Sequence, residues 1–335
     1  MITEVLNKLI AKQDLSQKEI YSVMDKILEG ELTPTQIGAF ITALACKGET
    51  FEELAGAATC MRAKAIHIQP TFMPVVDTCG TGGDGKNTFN ISTTAAIVAA
   101  GAGVRIAKHG NRSVSSACGS ADVLEELGVN LKVDPETVEM AINEIGIGFM
   151  FAPNYHQAMK YAVGPRKELG IRSIFNMVGP LSNPAGADRQ VMGVYAAGLT
   201  EMFAQALQLV GVKRAFVVHG HDGMDEITVC DATRVSELRD GQVQTYDIFP
   251  EQYFDNLYDT EEISGGDVKF NAQLIRDILD GAKGANRDIV VINAAAAIVA
   301  ADLADDLRQG VTMAAAAIDS GNAKEKLASL IEMTK

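Results

Sequence analysis

A chain of 335 residues with 47% apolar and 21% charged side chains has the composition of an ordinary globular protein of one or two domains. Its formal net charge of −14 argues against nucleic-acid and anionic-membrane partners, which need a basic face, but leaves room for a small anionic substrate in a local basic pocket. Five scattered cysteines (Cys46, Cys60, Cys79, Cys118, Cys230) form no CxxC pair, and Met1 leads straight into an amphipathic pattern, so reduced thiols and a cytoplasmic location are expected.

The first 65 or so residues read as helices only. Ser16-x-x-Glu19, Thr33-x-x-Gln36 and Thr50-x-x-Glu53 each fit a capping box, Pro34 takes a first helical position, and Gly30 and Gly48 fall where left-handed stops are expected. Ile20, Val23, Met24, Ile27 and Leu28 form one apolar face, and Ile37, Phe40, Ile41 and Leu44 another. From Pro74 the pattern alternates. Strands are expected at 75–76, 104–107, 148–151, 191–194 and 215–219, with helices at 94–102, 121–127, after Asp134-Pro135, and at 200–210. The run Ile289-Val290-Val291-Ile292 reads as another buried strand, and the apolar stretch 289–301, broken by Asn293, is too short to span a bilayer. The expected fold is α/β: a small all-helical domain over 1–70, completed by part of the Gly/Pro-rich segment 160–187, and a larger domain over 74–335 with a central, largely parallel sheet flanked by helices.

The run Val76 to Thr93 carries four glycines in six residues (Gly80, Gly82, Gly83, Gly85) between a strand and a helix. Glycines let backbone N–H groups approach a phosphate, and the helix N-terminus adds partial positive charge. Gly80-x-Gly82-x-x-Gly85 matches the dinucleotide fingerprint, but basic residues (Arg105, Lys108, Arg112) stand where the ribose-binding acid belongs. Gly80-x-x-x-x-Gly85-Lys86 falls one residue short of a Walker A loop, with Asn87 in place of Ser or Thr. A plain packing turn does not need the polar cluster Asp84, Lys86, Asn87, Thr88, Asn90, Ser92 and Thr93.

A second strand, polar loop and helix follow, from Lys108 to Ser120, with two cations and four serines. Two such loops on one sheet edge suit a ligand with phosphate at both ends. His109 alone reads equally as a packed histidine, and Cys118 as small filler. Asp225-Glu226, after a strand, suits Mg²⁺ held with waters and a polyphosphate, although adjacent acids are common in loops. His219 and His221 hint at a transition metal but lack a third soft ligand. Arg166 has the fork that recognises a carboxylate, or is an ordinary solvated arginine.

Together these pieces resemble the anthranilate phosphoribosyltransferases, in the stand-alone form of a two-domain family shared with nucleoside phosphorylases. The resemblance rests on Asp77-Thr78-Cys79-Gly80-Thr81-Gly82-Gly83-Asp84, Asn90-Ile91-Ser92-Thr93, Lys108-His109-Gly110-Asn111-Arg112-Ser113 through Ser120, Gly164-Pro165-Arg166, Gly179-Pro180-Leu181-Ser182-Asn183-Pro184 and Asp225-Glu226, in family order. It implies transfer of phosphoribose from 5-phosphoribosyl 1-diphosphate to anthranilate in tryptophan biosynthesis. By resemblance, Gly80, Gly83, Asp84, Thr88, Asn90, Ile91, Ser92, Thr93, Lys108, His109, Gly110, Asn111, Arg112, Ser113, Val114, Ser115, Ser116 and Ser120 hold the diphosphate donor. Gly80, His109, Asn111 and Arg166 face anthranilate, and Ser92, Asp225 and Glu226 serve Mg²⁺. A homodimer through the helical domain is implied as well. A pyrimidine nucleoside phosphorylase and a nucleic-acid-binding, non-catalytic relative of the same fold remain as alternatives.

Overall fold

In the computed structural model the described residues are 1–113 and 117–335; Val114, Ser115 and Ser116, three of the expected phosphate-holding residues, lie outside them. The chain opens with α1 (Ile2–Ile10), α2 (Gln17–Leu28), α3 (Pro34–Lys47) and α4 (Phe51–Lys64). All three expected capping boxes form. Glu53 does more than cap. Fully buried, it accepts the N–H of Leu15 (2.8 Å) and of Thr50 (2.9 Å) and pairs with Lys47 (3.0 Å), which ties three helix ends to one carboxylate. Gly56 lets α4 lie on α2: a Cβ there would stand 2.9 Å from Gln17 Cα.

From Val76 the order is β1 (Val76–Gly80), α5 (Ile91–Gly101), β2 (Ile106–Gly110), α6 (Ser120–Leu127), α7 (Pro135–Glu144), β3 (Ile147–Phe151), α8 (Ala152–Tyr155), α9 (Lys160–Leu169) and α10 (Ile174–Met177). Then come β4 (Arg189–Gly193), α11 (Thr200–Leu209), β5 (Arg214–Gly220), β6 (Thr233–Arg239), β7 (Gln242–Ile248), α12 (Val268–Leu279), α13 (Ala285–Ala300), α14 (Leu307–Asp319) and α15 (Asn322–Met333). The sheet runs β3-β2-β1-β4-β5-β6-β7, parallel from β3 to β5 and antiparallel from β5 to β7. The chain leaves β1 toward β2 and β3, then returns to its other side as β4. The β1–β4 boundary is therefore a topological switch point, the place where open α/β sheets bind ligands.

Alternate strand residues serve two cores. Phe216 and Val218 face the cluster built with α5, α12 and α13, while Ala215 and Val217 face the one shared by α4, α11 and the helical lobe. Ala162, Ile174, Phe175, Met177 and Val178, from α9 to just past α10, belong to that second cluster.

Three expectations change. The run 289–292 is helical, inside α13. That helix is buried all round, so it shows no amphipathic period and its β-branched run imitates a strand. Asn293 sits within it and donates to Ile289 O and Ile227 O, both at 2.8 Å. The hairpin β6–β7 was not anticipated; its turn, Asp240-Gly241, has positive φ at both residues, the Asp-Gly signature of a tight hairpin. Finally, β2 runs to Gly110, so Lys108 and His109 are strand residues pointing to opposite faces, not loop residues.

Candidate active site

The glycine loop leaves β1 at Gly80, paired with Gly193 of β4. Both must be small, because Asp225 lies across them. A Cβ on Gly80 would stand 2.6 Å from Asp225 Oδ2, and one on Gly193 would overlap the Asp225 carbonyl oxygen outright. The loop is drawn over this edge by Thr81 N–H to Gly193 O (2.9 Å), Tyr195 N–H to Thr81 Oγ1 (3.1 Å) and Gly82 N–H to Asp225 Oδ2 (2.9 Å). Gly82, Gly83 and Gly85 all have positive φ. The N–H groups of Gly83, Asp84 and Gly85 have no acceptor among the described residues. Successive free amides in this conformation make an anion-binding concavity. Farther along, Thr88 bridges Ser264 and Asn90 accepts from Asn271 Nδ2 (3.3 Å), so the far side of the loop rests on the first turn of α12 and the segment before it.

Helix α5 starts at Ile91, three residues earlier than expected, which puts Ser92 and Thr93 in its first turn. Ile91 itself is buried in the core. Glu226 accepts the Ser92 N–H (3.1 Å), and the Thr93 N–H has no acceptor among the described residues. Lys108 is buried beneath this corner: its Nζ donates to Thr78 O and lies 3.5 Å from Ser92 Oγ. Burial pulls its pKa down, while Asp77 and Glu226 nearby favour its charge.

Burial pushes the Asp225 carboxyl up to about 7, helped by Asp84 at hydrogen-bonding range. Glu226 is raised well above the carboxylate range by burial and by Asp225. Among the described residues no group of three or more His, Cys, Asp or Glu encloses a metal. Mg²⁺ does not need such a cage, since it takes one or two carboxylates and completes its shell with water and substrate phosphate. Half-buried acids crowded together are the donor set a divalent cation would relieve, so Asp225, Glu226 and Asp84 fit Mg²⁺.

The second loop is held mainly by α6. Gly110 cannot carry a side chain, because a Cβ would meet Phe149 at 2.7 Å. Asn111 O accepts from Ser120 Oγ and Ala121 N, both at 3.2 Å. Asp122 gathers Ser113 N–H (3.1 Å), Gly119 N–H (2.9 Å) and Arg112 (2.7 Å), and Arg112 also reaches Glu125 (2.9 Å). Arg112 is thus committed to two carboxylates and would have to divide its donors between them and a bound phosphate.

On the other face of β2, His109 is buried 5.0 Å from His156, ring to ring. The His109 ring donates to Gly179 O and the His156 ring to Ser182 O, and both Nε2 atoms lack a partner among the described residues. Below them, Asp77 accepts the His109 N–H (3.1 Å) and Asn183 Nδ2 (2.8 Å). Arg166 lies on α9, half-buried and stacked 5.4 Å from the Phe175 ring; its side chain makes no hydrogen bond or ion pair among the described residues. His156, Asn183 and Gly193 were not singled out as site residues from the sequence. The Gly-Pro-Leu-Ser-Asn-Pro run pointed to the region, but nothing local paired Gly193 with Gly80.

Burial, with His156 and Lys108 nearby, lowers His109 to about 3, and burial, with His67 nearby, lowers His156 to about 4. Both rings are neutral at pH 7. From pH 6.5 down to 4 the unfolded chain takes up protons that these rings refuse. Their contribution is complete above pH 6.5 and is lost as pH falls, at about 1.4 kcal/mol per pH unit per ring. Asp77, raised to about 6 by burial, opposes this: its contribution is lost as pH rises through 6. His156→Gln should therefore flatten the fall in Tm between pH 6.5 and 4; an unchanged slope would remove His156 as its source.

Residues 73–324 match the family described as "Glycosyl transferase family, a/b domain", and residues 3–65 match its helical bundle domain. The chain is 62% identical over 336 residues to the anthranilate phosphoribosyltransferase of Desulfosudis oleivorans, covering 100% of this chain and 99% of the relative. It is 60% identical over 334 residues to that of Syntrophobacter fumaroxidans, covering 100% and 99%. The crystal structure of the Thermus thermophilus enzyme superposes with a TM-score of 0.94 at 40% identity, over 98% of this chain and 99% of that one. The Saccharomyces cerevisiae enzyme in complex with PRPP and Mg gives 0.91 at 29% identity, over 99% and 97%. With the glycine loop, the half-buried acid pair and the histidine face set on one sheet edge, this chain belongs to the anthranilate phosphoribosyltransferase family.

Proposed function

We infer that this chain transfers the 5-phosphoribosyl group of 5-phosphoribosyl 1-diphosphate to the amine of anthranilate, releasing pyrophosphate, as a step of tryptophan biosynthesis with Mg²⁺ as cofactor. The observation that carries this reading is the row of amides at Gly83, Asp84 and Gly85, free among the described residues, drawn over the half-buried pair Asp225 and Glu226: a place for a diphosphate and its counter-cation side by side. The arylamine is already a nucleophile, so a carbon–nitrogen bond forms as the bond to diphosphate breaks, and the amine then loses a proton. No covalent enzyme intermediate is required. The protein's task is to hold the amine opposite the leaving group and to stabilise the charge that develops on it. When bound, Mg²⁺ supplies electrostatic stabilisation and orientation of the diphosphate.

In this reading the amides of 83–85, Thr93 N–H, Lys108 and the loop from Asn111 to Ser120 hold the donor. The neutral His109 and His156 present uncommitted Nε2 atoms to the acceptor. Arg166, unpaired and partly desolvated, takes the acceptor carboxylate. Loss of one charged hydrogen bond is worth about 1.5–3 kcal/mol, so Arg166→Ala should raise the anthranilate KM about ten- to hundredfold with kcat little changed. An unchanged KM would refute that role.

We also propose two bodies, 1–70 with part of 160–187 and 74–335, and a homodimer through the first. A groove of about 830 Å³ on the lobe, lined by Leu9, Ile10, Gly38, Thr42, Pro165 and Leu169, leaves Ile10 74% exposed, which supports this face as the interface. Light scattering should give a dimer for the parent and a monomer for Thr42→Arg. No helix of the described residues is long and apolar enough to cross a membrane, which is consistent with the cytoplasmic location we propose.

The deciding assay is decay of anthranilate fluorescence. Loss that requires enzyme, Mg²⁺ and 5-phosphoribosyl 1-diphosphate together, with pyrophosphate released, supports the transfer. Phosphorolysis of thymidine or uridine in its place would favour a nucleoside phosphorylase.

A further inference from the structure

Resting on the transferase reading, we propose that Arg172 is a positioning residue that fixes and polarises the Asp84 amide as a donor to the diphosphate. Arg172 follows Gly170, whose φ of +62° ends α9, and precedes α10, whose Ile174, Phe175 and Met177 are anchored in the helical-lobe core. From that anchor its Nη2 donates to the Gly83 carbonyl, and its guanidinium lies 4.2 Å over the Tyr195 ring. Tyr195 in turn donates its N–H to Thr81 Oγ1 (3.1 Å). The arginine thus joins three separate stretches: the end of α9, the glycine loop and the strand end of β4.

The consequence follows from peptide geometry. The Gly83 carbonyl and the Asp84 N–H belong to one planar trans unit and point in opposite directions. A cation hydrogen-bonded to the carbonyl therefore aims the Asp84 N–H away from the arginine and strengthens it as a donor through the shared peptide. That N–H is one of the three without an acceptor among the described residues. The contact also explains Gly83: φ is +80°, and an added Cβ would stand 3.0 Å from Arg172 Nη2. No other side-chain hydrogen bond among the described residues reaches the 83–85 amides or carbonyls from outside the loop, so without Arg172 the concavity has to be ordered by the ligand itself. The same residue ties the loop to the segment that carries Arg166.

The test is a split between KM and kcat in Arg172→Lys and Arg172→Ala, with thermal melts confirming that each is folded. The KM for 5-phosphoribosyl 1-diphosphate should rise about tenfold in Arg172→Ala and less in Arg172→Lys, which keeps the charge but loses the planar stack. The anthranilate KM at saturating donor, and kcat, should stay within about threefold. Tyr195→Leu, which keeps the backbone donor and removes the ring together with its hydroxyl contacts to Arg172 and Met177, should raise the donor KM severalfold. A donor KM within twofold of the parent in folded Arg172→Ala, or a fall in kcat at unchanged donor KM, overturns the proposal. Calorimetric titration with 5-phosphoribosyl 1-diphosphate and Mg²⁺ reads the loop whatever the acceptor. A parent that binds this compound but does not consume anthranilate sinks the transferase reading alone, while equal affinity of parent and Arg172→Ala sinks the role of Arg172 alone.

Discussion

Gly193→Ala is expected to lower kcat/KM by about a hundredfold or more in a protein that still folds. The added methyl group would stand 3.1 Å from Asp225 Cβ and overlap the Asp225 carbonyl oxygen, so the backbone carrying the acid pair has to move. A displacement of about 1 Å at reacting groups is enough for a loss of that size, whereas overpacking costs about 1–3 kcal/mol of stability. The Gly193 carbonyl also holds Thr81 N–H, so the glycine loop shifts with the acids. Gly198→Ala is the control: five residues on, with no atom within 4 Å of an added Cβ and no positive φ, it should behave as the parent. Steady-state rates and melts of the two variants decide the matter. Activity retained in Gly193→Ala would mean that Asp225 need not sit across this glycine pair.

The second large effect has opposite signs for activity and stability. Asp225→Asn with Glu226→Gln preserves shape and the acceptor for the Ser92 N–H but removes both charges. Turnover should fall about a thousandfold, because an amide is a poor Mg²⁺ ligand and the diphosphate loses its counter-cation. With metal chelated, the same variant should be more stable than the parent at pH 8. The sign follows from the raised pKa of Asp225. Its contribution to stability is complete below the unfolded carboxylate value and is lost as pH rises through about 7, where the parent must ionise a half-buried acid beside Asp84. The amide carries no such cost, so the gain should grow from pH 5 to pH 8, on the order of 1–3 kcal/mol. Titrating turnover against Mg²⁺ and following Tm against pH measure the two halves. Full turnover across the Mg²⁺ range would remove the pair as metal residues. Activity bought with instability is what a binding site built from half-buried like charges implies.

Much of the helical lobe was legible because its signals are local. Ser16 with Glu19, Thr33 with Gln36 and Thr50 with Glu53 each close within one turn, and each forms. The glycine loop was legible for the same reason, since Gly82, Gly83 and Gly85 have the positive φ that only glycine takes freely. The misreadings came where local pattern and environment part. Ile289 to Ile292 look like a strand because a helix buried on every side has no polar face to mark its period. Lys108 and His109 looked like loop residues, but three further residues of parallel pairing with β3 draw them into β2 and bury them.

The sequence by itself determined the class of the fold and where its caps and glycine turns fall, because caps, turns and glycine conformations depend on neighbours a few residues apart. The tertiary structure alone decided which of these pieces meet. Strand order placed β4 beside β1, and so put Gly193 against Gly80 with Asp225 lying across both. It brought Arg172 to the Gly83 carbonyl and His156 to His109, across 89 and 47 residues of chain. It also buried His109 and Lys108 and half-buried Asp225 and Glu226, and the desolvation that results is what moves their pKa values. Desolvation and long-range contact are properties of packed volume, and the free energy that sets them resides in no short stretch of sequence.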